Sequence, residues 1–268
     1  MIELPTERSK VTNYNPKLLI LMGRPKQGKS SLVASIDSNL IIDLEDGYRA
    51  LSVMKVQARS MADLEEIKAA IIAKGKEIKK APYRFITIDN ATRLEEMSLP
   101  VAAELYRNTA MGQGYGLLKD AKGMPIKNPK TGKVMVDPKA DVRTLPNGAG
   151  YTYLRKALRS MVDMFKPLCE TLILVTHVKD KQIRKEGQEM SEMAVDLAGK
   201  SADIICGEAD AVGLIYRDGN RTFVSFEGGD NTIKEARCPH LRGKKILVAE
   251  SNDSNEVTFD ASKLFINE

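Results

Sequence analysis

Short runs of consecutive apolar residues recur along the chain and predict the strands of a buried sheet. Runs of this length without polar alternation are typical of parallel strands that are covered on both faces. The clearest runs are Leu18–Met22, Leu40–Ile42, Phe85–Ile88 and Thr171–Val175. Apolar residues at helical spacing lie between them, in segments 64–78 and 154–165. This alternation predicts an α/β fold with a mainly parallel central sheet and helices on both faces.

Residues 109–150 interrupt the alternation. They contain closely spaced glycines and several prolines, which are too many helix breakers for a core helix. Met124–Lys127 and Lys133–Val136 flank a turn-forming Asn-Pro-Lys-Thr-Gly segment and predict a hairpin. A structureless loop of this length is uncommon in a compact domain, so we expect a projecting insertion within a single domain over residues 1–268.

Composition narrows the class of protein. The chain has 268 residues, of which 43% are hydrophobic, and this is ordinary globular usage. Its longest apolar runs fall far short of the roughly 20 residues that a membrane-spanning helix needs, and no leader is visible. We therefore expect a cytoplasmic protein without a membrane partner. Two histidines and three distant cysteines do not form a conventional metal cluster, and the net charge of +5 permits a polyanionic partner.

The first apolar run leads directly into a phosphate-binding motif. Residues 23–30 read Gly-Arg-Pro-Lys-Gln-Gly-Lys-Ser and satisfy GxxxxGK(S/T) between a predicted strand and a predicted helix. Glycines allow successive backbone N–H groups to surround phosphate oxygens. Lys29 would reach the β- and γ-phosphates of ATP, and the Ser30 hydroxyl would ligate Mg²⁺. The predicted nucleotide contacts are Gly23, Arg24, Pro25, Lys26, Gln27, Gly28, Lys29, Ser30 and Ser31.

The other apolar runs also lead into polar side chains suited to phosphate chemistry. Asp89 is the expected Mg²⁺ ligand beside a P-loop. Glu45 follows the run that we expect beside the P-loop strand and is the candidate general base, with Asp43 and Asp46 as alternatives. His177 follows the last run and is the candidate γ-phosphate sensor. Ligands bind outside the carboxyl ends of parallel strands, so these groups are expected to converge.

Five segments together carry a family resemblance. They are Leu-Met-Gly-Arg-Pro-Lys-Gln-Gly-Lys-Ser-Ser, Ile-Ile-Asp-Leu-Glu-Asp-Gly, Phe-Ile-Thr-Ile-Asp-Asn, Leu-Val-Thr-His-Val-Lys and Ile-Lys-Glu-Ala-Arg. The sequence resembles phage-encoded RecA-like nucleotide-binding proteins of the single-strand-annealing recombination type over most of residues 15–245. The resemblance implies a RecA-like P-loop fold and Mg²⁺-dependent ATP hydrolysis, with Glu45 as the catalytic glutamate and His177 at the sensor position.

The same resemblance implies partners. RecA-like filaments insert a basic residue from the neighbouring subunit into the nucleotide site, and Lys234 and Arg237 lie in the matching segment. Self-association into a ring or filament, binding of single-stranded DNA and a role in phage recombination or annealing in the bacterial cytoplasm follow as expectations. A single-strand DNA-binding protein is a further candidate partner.

Charge supports a DNA surface in the insertion. Residues 107–160 contain eleven basic and three acidic side chains, and Tyr115, Tyr151 and Tyr153 could stack on bases. Lys179–Lys185 is a second candidate surface, at the position where RecA-like proteins hold a DNA loop.

Two other function classes stay open. A nucleotide-gated binding module with negligible turnover would use the same P-loop. A small-molecule kinase is less favoured because kinases generally need several arginines in a lid, and the insertion holds only Arg143.

Overall fold

Strands and helices alternate along the computed structural model, which describes residues 6–8, 10, 12–137, 139–185, 188–229, 233–252 and 257–266. The strands are β1 (Leu18–Met22), β2 (Asn39–Asp43), β3 (Lys55–Gln57), β4 (Phe85–Asp89), β5 (Thr171–Thr176), β6 (Val178–Lys185), β7 (Gln188–Val195), β8 (Ala211–Asp218), β9 (Arg221–Ser225), β10 (Glu235–Ala236), β11 (Lys245–Ser251) and β12 (Val257–Phe259). The α-helices are α1 (Lys29–Ala34), α2 (Met61–Ile78), α3 (Ala91–Met97), α4 (Leu99–Arg107), α5 (Gly150–Phe165) and α6 (Ser201–Glu208).

A single large sheet organises the described residues. Its order is β12-β11-β9-β8-β1-β5-β4-β2-β3, with β10 paired to β8, whereas β6 and β7 form a separate hairpin. The strands from β8 to β3 run parallel, and β9 to β12 extend the sheet in antiparallel fashion. Each predicted apolar run lies in one of the parallel strands. The predicted α/β fold with a mainly parallel sheet is therefore confirmed.

The position of β2 differs from the sequence prediction. We expected this strand, which leads to Glu45, to lie beside the P-loop strand β1. In the structure β1 lies between β5 and β8, and both β5 and β4 separate it from β2. The expectation was wrong because neighbours in a parallel sheet are set by how the crossover connections pack, and not by chain order. The loop after β2 still opens at the carboxyl edge, since these strands share one direction.

Side chains of β1 alternate between two hydrophobic cores. Leu18, Ile20 and Met22 face a core that also contains apolar residues of α2, α3, α5 and α6. Leu19 and Leu21 face a second core that contains residues of α1 and of the C-terminal segment. Full burial of such a side chain stabilises the fold by about 1.5–3 kcal/mol. Helices consequently cover both faces of the sheet, and β1 is fixed rigidly beneath the loop that follows it.

The C-terminal segment is attached to the beginning of the described fold. The Asn15 side-chain amide donates to the Ile266 carbonyl (2.9 Å), and the Ile266 backbone N–H donates to Asn15 Oδ1 (2.8 Å). Arg84 Nη2 donates to the same carbonyl at 2.7 Å.

The strand β12 also reaches the P-loop. It pairs with β11 and brings the Phe259 ring against Gly28.

Residues 117–136, here called the arm, project from the insertion. Lys127 and Val134 form the antiparallel pairing that the sequence predicts for a hairpin. A third segment, which was not predicted, joins them through the bridges Leu117–Val136 and Lys119–Pro125. The arm therefore folds on its own backbone hydrogen bonds rather than on a hydrophobic core.

Among the described residues, no helix is long and apolar enough to cross a membrane.

Candidate functional site

The P-loop connects β1 to α1 and depends on close approach at two glycines. A Cβ on Gly23 would lie 2.6 Å from Ile215 Cγ2, and a Cβ on Gly28 would lie 2.7 Å from the Phe259 ring. Gly28 also has a φ of 95°, a backbone conformation that side-chain-bearing residues seldom adopt. The sequence therefore needs glycine at both places. The P-loop residues Pro25, Lys26 and Gly28 line a cleft at the carboxyl edge of the sheet.

Lys29 is buried at the mouth of this loop. Its Nζ donates to the carbonyls of Gly23 and Arg24, at 2.9 Å each, and lies 3.5 Å from His177 Nδ1. Burial lowers the pKa of Lys29, while the carboxylates of Asp89 and Glu45 act in the opposite direction. The amino group is thus held by neutral carbonyl oxygens, and a phosphate oxygen would replace them with a charged acceptor.

Three hydroxyl and carboxyl groups meet next to Lys29. Ser30 Oγ donates to Asp89 Oδ2 at 3.1 Å, and the Tyr48 hydroxyl donates to the same oxygen. Tyr48 and Asp89 are buried. Burial raises the pKa of Asp89, although both hydrogen bonds favour its charged form. Burial and the adjacent Asp89 raise the pKa of Tyr48.

Tyr48 was not predicted from the sequence as a site residue. The residue lies in a loop, so no helical or strand periodicity marks it, and it reaches Asp89 only because β2 pairs with β4. A tyrosine close behind the carboxylates of residues 43–46 was the available signal.

The carboxylates after β2 have different surroundings. Asp43 is buried, and its Oδ1 accepts the backbone N–H groups of Glu45 (3.1 Å) and Gly47 (3.2 Å). Asp46 pairs with Arg49. Glu45 is exposed, lines the cleft and forms no ion pair within the described chain. The geometry therefore gives Asp43 a role in shaping the loop and leaves Glu45 available to the cleft.

A cleft of about 770 Å³ lies over these groups. Pro25, Lys26, Ser31 and His177 belong to its lining, and its far wall contains Phe259. Two other P-loop side chains point elsewhere, since Gln27 Oε1 accepts the backbone N–H of Arg217 at 2.8 Å and Arg24 lies 3.7 Å from Asp180. Neither Arg24 nor Gln27 belongs to the cleft lining, and their contact with nucleotide stays a prediction.

Lys234 and Arg237 do not reach the cleft of their own subunit. Arg237 Nη2 donates to the Gly207 carbonyl, next to the pairing of Ala236 with Ala211 at the amino end of β8. This is the sheet edge opposite the P-loop. Lys234 Nζ donates to Ser225 Oγ at 3.2 Å and does not belong to the cleft lining.

The donor set fits a hard divalent cation. Within the ranges that the structure covers, no cluster of three or more His, Cys, Asp or Glu side chains could hold a metal alone. Ser30 and Asp89 instead supply one hydroxyl and one carboxylate. Mg²⁺ is commonly bound by one or two carboxylates together with substrate phosphates and water. The site is therefore suited to Mg²⁺ that arrives with a nucleotide.

Comparison with known families decides the class. A family model described as an AAA domain matches residues 15–123 and 133–252, which is most of the chain. The chain belongs to this AAA domain family. Membership indicates a nucleotide-binding ATPase and confirms the expected P-loop class. No curated protein matches the chain.

One similar solved structure is the KaiC-like protein PH0186 from the hyperthermophilic archaeon Pyrococcus horikoshii OT3. The identity is 12% and the TM-score is 0.44, over 92% of this chain and 91% of that one.

Proposed function

We propose that this AAA domain protein hydrolyses ATP with Mg²⁺ in the cleft above the P-loop. The observation that carries the proposal is the convergence of Lys29, Ser30 and Asp89 at one edge of a parallel sheet. Backbone N–H groups of the P-loop bind the phosphates, Lys29 neutralises the β- and γ-phosphates, and Ser30 and Asp89 hold the cation. Bound Mg²⁺ supplies charge neutralisation at the phosphate oxygens.

Glu45 is the proposed general base. It is exposed at the cleft, and its backbone is fixed by Asp43, so its side chain can orient a water molecule towards the γ-phosphate and accept the proton. His177 contacts Lys29 before nucleotide arrives. When Lys29 turns to the phosphates this contact is released, which makes His177 the proposed sensor of the γ-phosphate.

Single-stranded DNA is the proposed partner, and phage recombination or strand annealing is the proposed process. A half-buried tyrosine cluster at the base of the insertion supports this proposal. Tyr106 lies 5.1 Å from Tyr115 and 5.2 Å from Tyr153, measured between ring centroids, and Lys156 lies over Tyr153. Aromatic rings beside cations are the usual platform for single strands.

The second candidate surface, Lys179–Lys185, is less favoured. Lys179 and Lys181 each lie 3.5 Å from an aspartate carboxylate, and the Lys185 side chain lies outside the described residues.

Measurement of ATP binding and phosphate release tests the core proposal. Lys29→Ala is expected to abolish turnover, whereas Lys76→Ala, an exposed lysine on α2, serves as the matched control. Binding of ATP with negligible turnover, both with and without oligothymidine, would instead identify a nucleotide-gated module. Phosphate transfer to an acceptor other than water would identify a kinase.

Self-association into a ring or filament would explain the position of Arg237. A head-to-tail neighbour can bring the opposite sheet edge of one subunit to the cleft of the next. We propose that Arg237, with Lys234 as the alternative, completes the site in this way. Mixing an Arg237→Ala subunit with a Lys29→Ala subunit is expected to restore activity from two inactive variants. Confirmed co-assembly without recovery would refute the shared site.

A further inference from the structure

The arm exposes several apolar side chains that its own fold leaves unburied. Met124 is 63% exposed and Val136 is 44% exposed, and the aliphatic side chains of residues 126, 134 and 135 are each more than one third exposed. Exposed apolar side chains on both faces of one short element indicate a surface that contacts another molecule.

Lysines surround these apolar side chains. The arm contains five lysines, at positions 119, 122, 127, 130 and 133, and Asp120 as its single acidic residue, for a local net charge of 5 − 1 = +4. All five lysines are exposed, and none forms an ion pair with the part of the chain that the structure describes. The Asp120 carboxylate instead accepts the backbone N–H groups of Lys122 (2.9 Å) and Met124 (2.8 Å). The positive charge of the arm is therefore available to a partner.

The arm has a conformation that its own hydrogen bonds define. Backbone hydrogen bonds of 2.8–3.0 Å link Leu118, Ile126 and Met135 to one another. Asn128 Oδ1 accepts the N–H groups of Lys130 and Thr131 and closes the outer turn. A preformed surface loses little conformational entropy on binding. The family model skips residues 124–132, so this outer part is an addition to the common ATPase fold.

The chemistry of the arm favours a peptide over a nucleic acid. Residues 117–136 contain no aromatic residue and no arginine, so they cannot stack on bases. Lysines interleaved with aliphatic side chains complement a segment that carries carboxylates and apolar side chains. We infer that the arm is a docking site for an acidic, apolar-rich peptide segment of a partner protein, separate from the nucleotide cleft.

A fluorescent peptide of glutamates and leucines is the probe, and oligothymidine of equal charge is the competitor. Fluorescence anisotropy of the full-length protein measures both. The serine variant carries Met124→Ser, Ile126→Ser and Val134→Ser. The glutamine variant carries Lys127→Gln, Lys130→Gln and Lys133→Gln. The control variant carries Lys76→Gln, Lys80→Gln and Lys263→Gln, which removes the same charge from exposed positions elsewhere.

The serine and glutamine variants are each expected to weaken peptide binding by about tenfold or more, and the control variant is expected to bind like the wild type. Added salt should weaken the wild-type complex, since charge attraction contributes to it. Unchanged circular dichroism and ATP binding in both variants exclude misfolding as the cause.

Three results would overturn the inference. The first is the absence of saturable peptide binding by the wild type. The second is wild-type affinity in the serine variant, which would reduce the arm to a patch of charge. The third is displacement of the peptide by oligothymidine, if the oligothymidine binds the serine variant normally and the glutamine variant weakly. That result would make the arm a nucleic-acid surface.

Discussion

Replacement of Tyr48 by phenylalanine tests how the buried Asp89 is held. Tyr48→Phe keeps the ring in its packed position and removes only the hydroxyl that donates to Asp89 Oδ2. A hydrogen bond to a charged acceptor contributes about 1.5–3 kcal/mol, and the cavity term is small because a single oxygen is lost. For a chain of this size that corresponds to a decrease of about 3–12 °C in the unfolding temperature at neutral pH.

The pH dependence makes the prediction specific. Burial and Asp89 raise the pKa of Tyr48 above its ordinary value, whereas the tyrosine of the unfolded chain ionises near 10.0. A pKa that is raised by folding contributes stability that is fully present below about pH 10 and is lost as the pH rises, by about 1.4 kcal/mol per pH unit. Tyr48→Phe lacks this contribution, so the stability difference between wild type and variant should narrow as the pH rises above about 10.

Urea unfolding monitored by circular dichroism across this pH range measures the difference in free energy of unfolding between wild type and Tyr48→Phe. Tyr83→Phe is the matched control, because Tyr83 is half-buried and its hydroxyl makes no hydrogen bond to the described residues. The reasoning is refuted if Tyr48→Phe costs no more than Tyr83→Phe at neutral pH. It is also refuted if the difference between wild type and Tyr48→Phe is the same on both sides of pH 10.

Three further predictions concern the cleft. Asp89→Asn should raise the unfolding temperature of the nucleotide-free protein, since burial raises the pKa of Asp89 and its charge is costly above that pKa. This gain should shrink as the pH falls towards the unfolded pKa of about 3.9, and a gain that grows at low pH in calorimetry would contradict the prediction. Glu45→Gln should keep ATP affinity and reduce phosphate release by about 10²–10⁴-fold, and normal turnover would move the base to Asp43 or Asp46, or remove it. Gly28→Ala should weaken ATP binding in titration calorimetry, because the added Cβ meets the Phe259 ring at a strained φ; wild-type affinity would contradict the close packing.

Local patterns predicted the parts of the site that are local in sequence. β1, the P-loop and α1 are consecutive, and their apolar run and glycines specify them without reference to the rest of the chain. Asp89 was predictable for a similar reason, since it ends an apolar strand. Its pairing with Ser30 then follows from the common direction of parallel strands.

Features that depend on non-local pairing could not be predicted. The place of β2 in the sheet, and with it the contact between Tyr48 and Asp89, depends on which strands the crossover connections bring together. The wall formed by Phe259 needs residues more than 200 positions apart to meet, which no short-range periodicity encodes. The arm showed its turn in the sequence but not its third segment, because short isolated bridges carry no alternation long enough to detect.

The closure of the C-terminal segment onto the start of the fold has a consequence for synthesis. The ribosome synthesises the P-loop early. Phe259 and Ile266, which is hydrogen-bonded to Asn15, are synthesised after most of the described residues. Until then the growing chain carries a phosphate-binding loop with one wall missing. The nucleotide cleft therefore becomes complete only after Phe259 has been synthesised, and a nascent chain that lacks this residue cannot bind ATP in the finished cleft.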